Sequence, residues 1–129
     1  MSVHLGRVAS LEPPESTALT TTNATTVHTA STNFKRVVET ITIANTDTAN
    51  NCECTLTWVD VTPTSYTFWR KDIVAGTTEV LDNIPIITDG NGTVRLIQAT
   101  AENANDLTIT VITSASSRVE QHIRGGIGD

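Results

Sequence analysis

The chain has few residues from which to build a helix, a membrane span or a reactive centre. Among its 129 residues are two Trp, one Tyr and two Phe, together with two Cys and one Met. Leucine, glutamate and lysine, which favour helices, are sparse. No window approaches the roughly 18 consecutive apolar residues of a spanning helix. The opening "MSVHLGRVASLEPPES" lacks a charged segment followed by an apolar run, so neither a signal peptide nor an anchor is expected, and synthesis as a soluble cytoplasmic chain is. Positive charge is also scarce. Eight Lys and Arg face fourteen Asp and Glu, a net charge of -6. Phosphate contacts need concentrated positive charge, so nucleic acid is not an expected partner, and neither is a membrane. The basic residues that exist include Arg7 near one end and Arg118 and Arg124 near the other.

What the chain does have is threonine, about a fifth of all residues, and strands are the element that β-branched side chains favour. In "FKRVVETITIAN", Val37, Ile41 and Ile43 share one parity, broken by Glu39, as in a half-buried strand. "NTDTANN" supplies a turn. In "NNCECTLTWVDV", Cys52, Cys54, Leu56 and Trp58 fall on one face and Glu53, Thr55 and Thr57 on the other. "YTFWRKDIV" sets Tyr66 and Phe68 against Thr67 and Trp69, and "AGTTEVLDNIPII" is a short strand entering a bend at Pro85. "TDGNG" is a turn, followed by "TVRLIQA" and by "NDLTITVITSA", where Leu107, Ile109 and Val111 alternate with Thr108 and Thr110. The expected fold is all-β: a single sandwich of about six to eight strands, jelly-roll-like or immunoglobulin-like. One domain is expected, since a chain of this length hides roughly two-thirds of its unfolded surface.

Residues 1–30, with Pro13 and Pro14 and a threonine-rich run, read as an N-terminal arm whose second half supplies at best an edge strand. Residues 31–115 read as the sandwich and 116–129 as a flexible C-terminal tail ending in "GGIGD".

The cysteines pose the main chemical question. A structural zinc site takes about four ligands, commonly from paired knuckles, whereas this chain offers one Cys-x-Cys and three scattered histidines, His4, His28 and His122. A disulfide between residues two apart on one strand face would have to span about 6.5–7 Å between Cα atoms, at or past the upper limit. Cys52 and Cys54 therefore read as small core residues. No serine or cysteine sits with a histidine in a nucleophile context, and "DGNG" lacks the remaining ligands of a calcium loop. No catalytic, cofactor-binding or metal-binding residue is assigned. Tyr66 and Trp69 are candidate surface aromatics for stacking on a sugar ring, against a plain packing role. Ordering an arm costs roughly 1–2 kcal/mol per residue, so an ordered arm implies a surface to lie on. Val3, Leu5, Arg7, Val8 and Leu11, with Arg118, Val119, Ile123 and Arg124, are the candidate partner-binding residues.

Between "ITIANTDTANNCECTLTWVD" and "LTITVITSA" the chain resembles small all-β structural proteins of tailed bacteriophages. The resemblance rests on Ile43, Asn45 and Thr46, then Ile73, Ala75, Gly76, Thr78 and Leu81, then Gly92, Leu96, Gln98, Ala99, Ala101 and Asn105, and Leu107 to Val111. It spans residues 34–115 and implies a virion component without enzymatic activity. Such a protein is a capsid decoration (cement) protein, or a neck, collar or tail accessory. It assembles as a homo-oligomer, a trimer or dimer, against the major capsid protein or neck and tail proteins. A different class remains open from the residues: a carbohydrate-binding module on a host-facing structure.

Overall fold

The computed structural model describes residues 9–82, 84 and 86–116. Ten strands follow one another: β1 (Ala9–Leu11), β2 (Glu15–Ala18), β3 (Thr25–Thr29), β4 (Arg36–Asn45), β5 (Cys52–Val59), β6 (Ser65–Ile73), β7 (Thr78–Asp82), β8 (Ile87–Thr88), β9 (Leu96–Ala101) and β10 (Leu107–Ser116). One sheet runs β1-β10-β4-β7, with β2 also on β10 and β8 also on β4; the other runs β3-β9-β5-β6. Every pairing is antiparallel.

β1 and β2 lie end to end on the same edge of β10, and β7 and β8 likewise on β4. Pro13 and Pro14 account for the first break. Proline cannot donate to a ladder, and an edge strand is where it is tolerated. Counting each broken edge as one run gives eight runs, ordered 1-8-3-6 in one sheet and 2-7-4-5 in the other. That is a jelly roll, two interleaved Greek keys, and it differs from the immunoglobulin order in which the first two strands are neighbours.

Residues 9–29, within the segment that reads as an arm, form β1 to β3. Of these, β3 is the edge strand of the second sheet, and Leu19 and Val27 are buried in the core. The pairing has a simple cause: without β1 and β2 the backbone of β10 would present a bare edge, and without β3 so would β9.

The core lies between the sheets. Val38, Ile41, Ile43, Leu107, Ile109 and Val111 come from one side, and Cys52, Cys54, Leu56, Ile73, Ile97, Ala99 and Ala101 from the other. Three bulges adjust the alternation. On β4, Thr40 faces Ile112 and Val38 faces Thr113, so Glu39 is the extra residue. The irregular Glu39 is thereby turned to the surface, where it accepts the Ser114 hydroxyl at 2.5 Å. The bulge also corrects the expected face, since Val38 enters the core in place of Val37. On β3, Val27 is extra and both Val27 and His28 are buried. On β6, Phe68 is extra, so that Trp69 faces Leu56 and Tyr66 faces Trp58. Tyr66 and Trp69 therefore share a sheet face, contrary to the uninterrupted alternation expected from sequence.

Candidate functional site

The loops divide between two ends of the sandwich. At one end lie the turns after β2, β4, β6 and β9, fixed by polar side chains. Asn45 is buried there, and its Nδ2 donates to the carbonyls of Asn50 and Ile73, both at 3.0 Å, while its Oδ1 accepts from the Asp47 amide. Gly76, at φ 71°, donates its amide to Asp47, and Asn105, at φ 69°, donates to Leu19. Thr46 reaches the carbonyl of Asp106 with its amide at 2.7 Å and its hydroxyl at 3.2 Å. Asn45, Thr46, Gly76 and Asn105, which carry much of the family resemblance, are thus turn-builders at this end.

The other end holds the turns after β3, β5 and β8 and the outer ends of β1 and β10, where Ala9 pairs with Ser116. The two chain ends leave the described structure side by side. Exposed apolar side chains gather here: Leu11 (71%), Phe34 (44%), Val61 (53%), Tyr66 (43%) and Ile87 (55%). Leu11 and Ile87 belong to one cross-strand row, Leu11–Ser114–Val37–Ile87, running across the outer face of the first sheet. Nearby, Arg36 reaches Glu12 at 3.5 Å, and its buried Nε has no hydrogen-bond partner among the described residues.

The β5–β6 turn at this end is organised by Asp60. Its carboxylate accepts from the Thr62 hydroxyl, the Thr62 and Thr64 amides (2.8 Å each) and the Tyr66 hydroxyl (3.3 Å). The Thr62 hydroxyl bond and then the two amides hold this exposed carboxyl down at about 2. Tyr66 stacks on Trp58 with ring centroids 4.5 Å apart. Gly90 belongs to the opposing turn. A Cβ there would sit 2.8 Å from Thr32 Cγ2 and 2.9 Å from the Ser31 backbone, so only glycine fits beside the β3–β4 loop. Between these turns lies an open cleft of about 370 Å³, lined by Val59, Asp60, Val61, Pro63, Arg95 and Leu96 among others.

A second concavity opens along one flank, between the edge strands β6 and β7. Phe68, Trp69, Val80, Leu81, Ile84 and Ile86, with Asp82, line a groove of about 510 Å³. The Lys71–Glu79 ion pair, at 2.9 Å, joins the two edges.

Of the candidate residues, Leu11 stands on β1 at the tail-bearing end. Tyr66 has Trp58 as its ring partner, whereas Trp69 is half-buried, packs on the core and lines the flank groove. Val3, Leu5, Arg7, Val8, Arg118, Val119, Ile123 and Arg124 lie outside the described residues.

Two constellations have the residue types of a reactive site. The first is Glu15–His28–Thr88, which the separate positions of the three residues gave no means to foresee. His28 Nδ1 donates to Glu15 Oε1 at 2.6 Å, and Nε2 lies 3.0 Å from Thr88 Oγ1. The order matches a carboxylate, a base and a hydroxyl nucleophile. Thr88 and the His28 side chain are nevertheless wholly buried, so no substrate reaches the hydroxyl. The contact instead joins β2, β3 and β8 across the two sheets. The second is the cysteine pair. Both thiols are free and buried. Burial pushes Cys54 up to about 12 and raises Cys52 as well, the opposite of an activated thiol.

No family model matches the chain, and no curated protein matches it. Among solved structures it is similar to the virus-like particle of the giant freshwater prawn Macrobrachium rosenbergii extra small virus, seen by cryo-EM. The identity is 11%, the match covers 92% of this chain and 84% of that one, and the TM-score is 0.46.

Proposed function

We propose that this chain is a non-enzymatic structural protein of a tailed-bacteriophage virion, a capsid decoration (cement) protein that docks through its tail-bearing end. The observation that carries the reading is the gathering of Leu11, Phe34, Val61, Tyr66 and Ile87 at the end where both chain termini leave the sandwich. Exposed apolar groups concentrated in one region favour a protein partner. The jelly-roll order supports the reading by analogy, since capsid domains use it, as do lectins and cupins. In this arrangement the two terminal segments clamp neighbouring subunits while the sandwich sits over their junction as a trimer or dimer.

Quantitative mass spectrometry of purified particles tests the proposal. Decoration of a symmetric shell calls for on the order of hundreds of copies, whereas a ring at the neck or tail calls for about a dozen. A count near a dozen would move the protein to the neck, collar or tail, and absence from particles would overturn the virion reading. Replacing Phe34 and Val61 by glutamate is expected to lower incorporation while the circular dichroism spectrum stays that of the parent. A second reading, glycan binding, draws on Tyr66, which stacks on Trp58 and remains partly exposed. A glycan array comparing the parent with Tyr66→Ala and Trp69→Ala tests it, and equal or absent signals would remove it.

A further inference from the structure

The flank groove lies on the opposite edge of the first sheet from β1. We propose that residues 3–7 of a second copy enter it as an extended segment, with Val3 and Leu5 against Phe68, Trp69 and Leu81 and Arg7 at Asp82. The inference does not rest on the virion reading; it concerns the self-association of the purified chain.

Three observations select this occupant. The described lining of the groove is apolar apart from Asp82, and β6 and β7, which flank it, are terminal strands of their sheets, so an extended peptide can pair with an edge while its alternate side chains fill the trough. In "VHLGR", residues 3, 5 and 7 fall on one side of an extended chain, placing two apolar groups and then one cation in line. The rim offers a matching charge: Asp82 forms no ion pair among the described residues and accepts only the Thr40 hydroxyl, at 3.1 Å. Residues 117–124 fit the acidic rim less well, because they carry Glu120 between their arginines.

Reach decides between the molecule's own groove and a neighbour's. The order β1-β10-β4-β7 places three strand spacings, about 14 Å, between Ala9 and β7. Asp82 pairs with Thr40 and Thr40 with Ile112, four residues along β10 from Ser116, the partner of Ala9, which adds about 13 Å along the strands. The diagonal is about 19–20 Å, while Leu5, four residues before Ala9, extends at most about 14 Å. Leu5 falls short of its own groove. A segment leaving one edge for a neighbour's opposite edge makes a head-to-tail contact, which closes into a ring or continues as a chain.

The test mixes full-length Leu5→Cys chains with differently tagged Val80→Cys chains and oxidises them with diamide. Val80 lines the groove and is exposed, so its replacement leaves the core intact. The expected result is a mixed disulfide dimer carrying both tags, and none when Val74→Cys, exposed at the far end of the sandwich, replaces Val80→Cys. Sedimentation supplies a readout free of substitutions in the sandwich: the parent self-associates with rising concentration and a chain lacking residues 2–8 does not. Arg7→Glu and Asp82→Lys are each expected to weaken association, and the two combined to restore it. No mixed dimer, an equal yield with Val74→Cys, or a parent that sediments as a monomer throughout would overturn the proposal. Loss of the chain from particles with self-association intact would instead count against the virion reading alone.

Discussion

Asn45 makes three hydrogen bonds from a buried position, two of them to the carbonyls of Asn50, in the turn that follows it, and of Ile73, at the end of β6. Asn45→Ala leaves those carbonyls unpaired and is expected to cost about 1–3 kcal/mol, read as a lower urea midpoint with an unchanged slope. The cysteines give a second residue-scale prediction. With Cys54 held near 12 by burial and Cys52 raised, neither thiol reacts with a disulfide reagent at pH 8 in the native protein. Both react in guanidinium, and prompt labelling of the native chain would contradict their place in the core. Asp60 supplies the pH dependence. Its carboxyl is lower in the folded chain, at about 2, than its ordinary 3.8. The stabilisation of the β5–β6 turn is therefore complete above about pH 4 and fades as pH falls toward 2. NMR titration of the Thr62 and Thr64 amides should follow a midpoint near 2, and a midpoint at 3.8 or above would mean that these bonds do not form in solution.

At the scale of elements, His28 ties β3 to β2 through Glu15 and to β8 through Thr88. His28→Leu leaves the buried Thr88 hydroxyl with only its longer bond, 3.4 Å, to the Arg36 carbonyl, and is expected to cost about 1–3 kcal/mol. Adding Thr88→Val removes that weakly bonded hydroxyl and should recover part of the loss, as a double-mutant cycle by urea unfolding would show. Additive losses would mean that the two side chains do not interact. The bulges belong to this scale as well. Glu39 breaks the apolar parity of its strand in the sequence, a visible signal of irregularity. Its resolution required β10, whose Ile112–Thr113 step skips Glu39 and turns Val38 inward. Phe68 gave no comparable signal, because aromatic residues occupy three of the four positions from Tyr66 to Trp69 and either parity is apolar.

At the scale of the molecule, β1 to β3 bind residues 9–29 into the sandwich, so truncations have sharply different expected outcomes. Removing residues 2–8 leaves every described strand in place and should leave the unfolding midpoint near that of the parent. Removing residues 2–33 takes away Leu19 and Val27 and bares the edges of β9 and β10, and the product is expected to aggregate. Size-exclusion chromatography with light scattering distinguishes the two, and a monodisperse, cooperatively unfolding 34–129 fragment would contradict this account of the edges. The docking end also exists only at this scale. Leu11, Phe34, Val61, Tyr66 and Ile87 are spread across the sequence, and the jelly-roll order brings their strand ends together.

The sequence by itself determined that the chain is all-β, that Cys52, Cys54 and Leu56 face inward, and that the "NTDTANN" and "TDGNG" runs make turns. Each is a matter of period-two alternation or of backbone freedom within a few residues. Tertiary structure alone decided the strand order, the buried His28 contact, the shared face of Tyr66 and Trp69, and the meeting of the chain ends with the exposed apolar groups. These depend on which distant strand supplies the hydrogen-bond partner, and a bulge or a crossover changes that partner without altering the local pattern of residues.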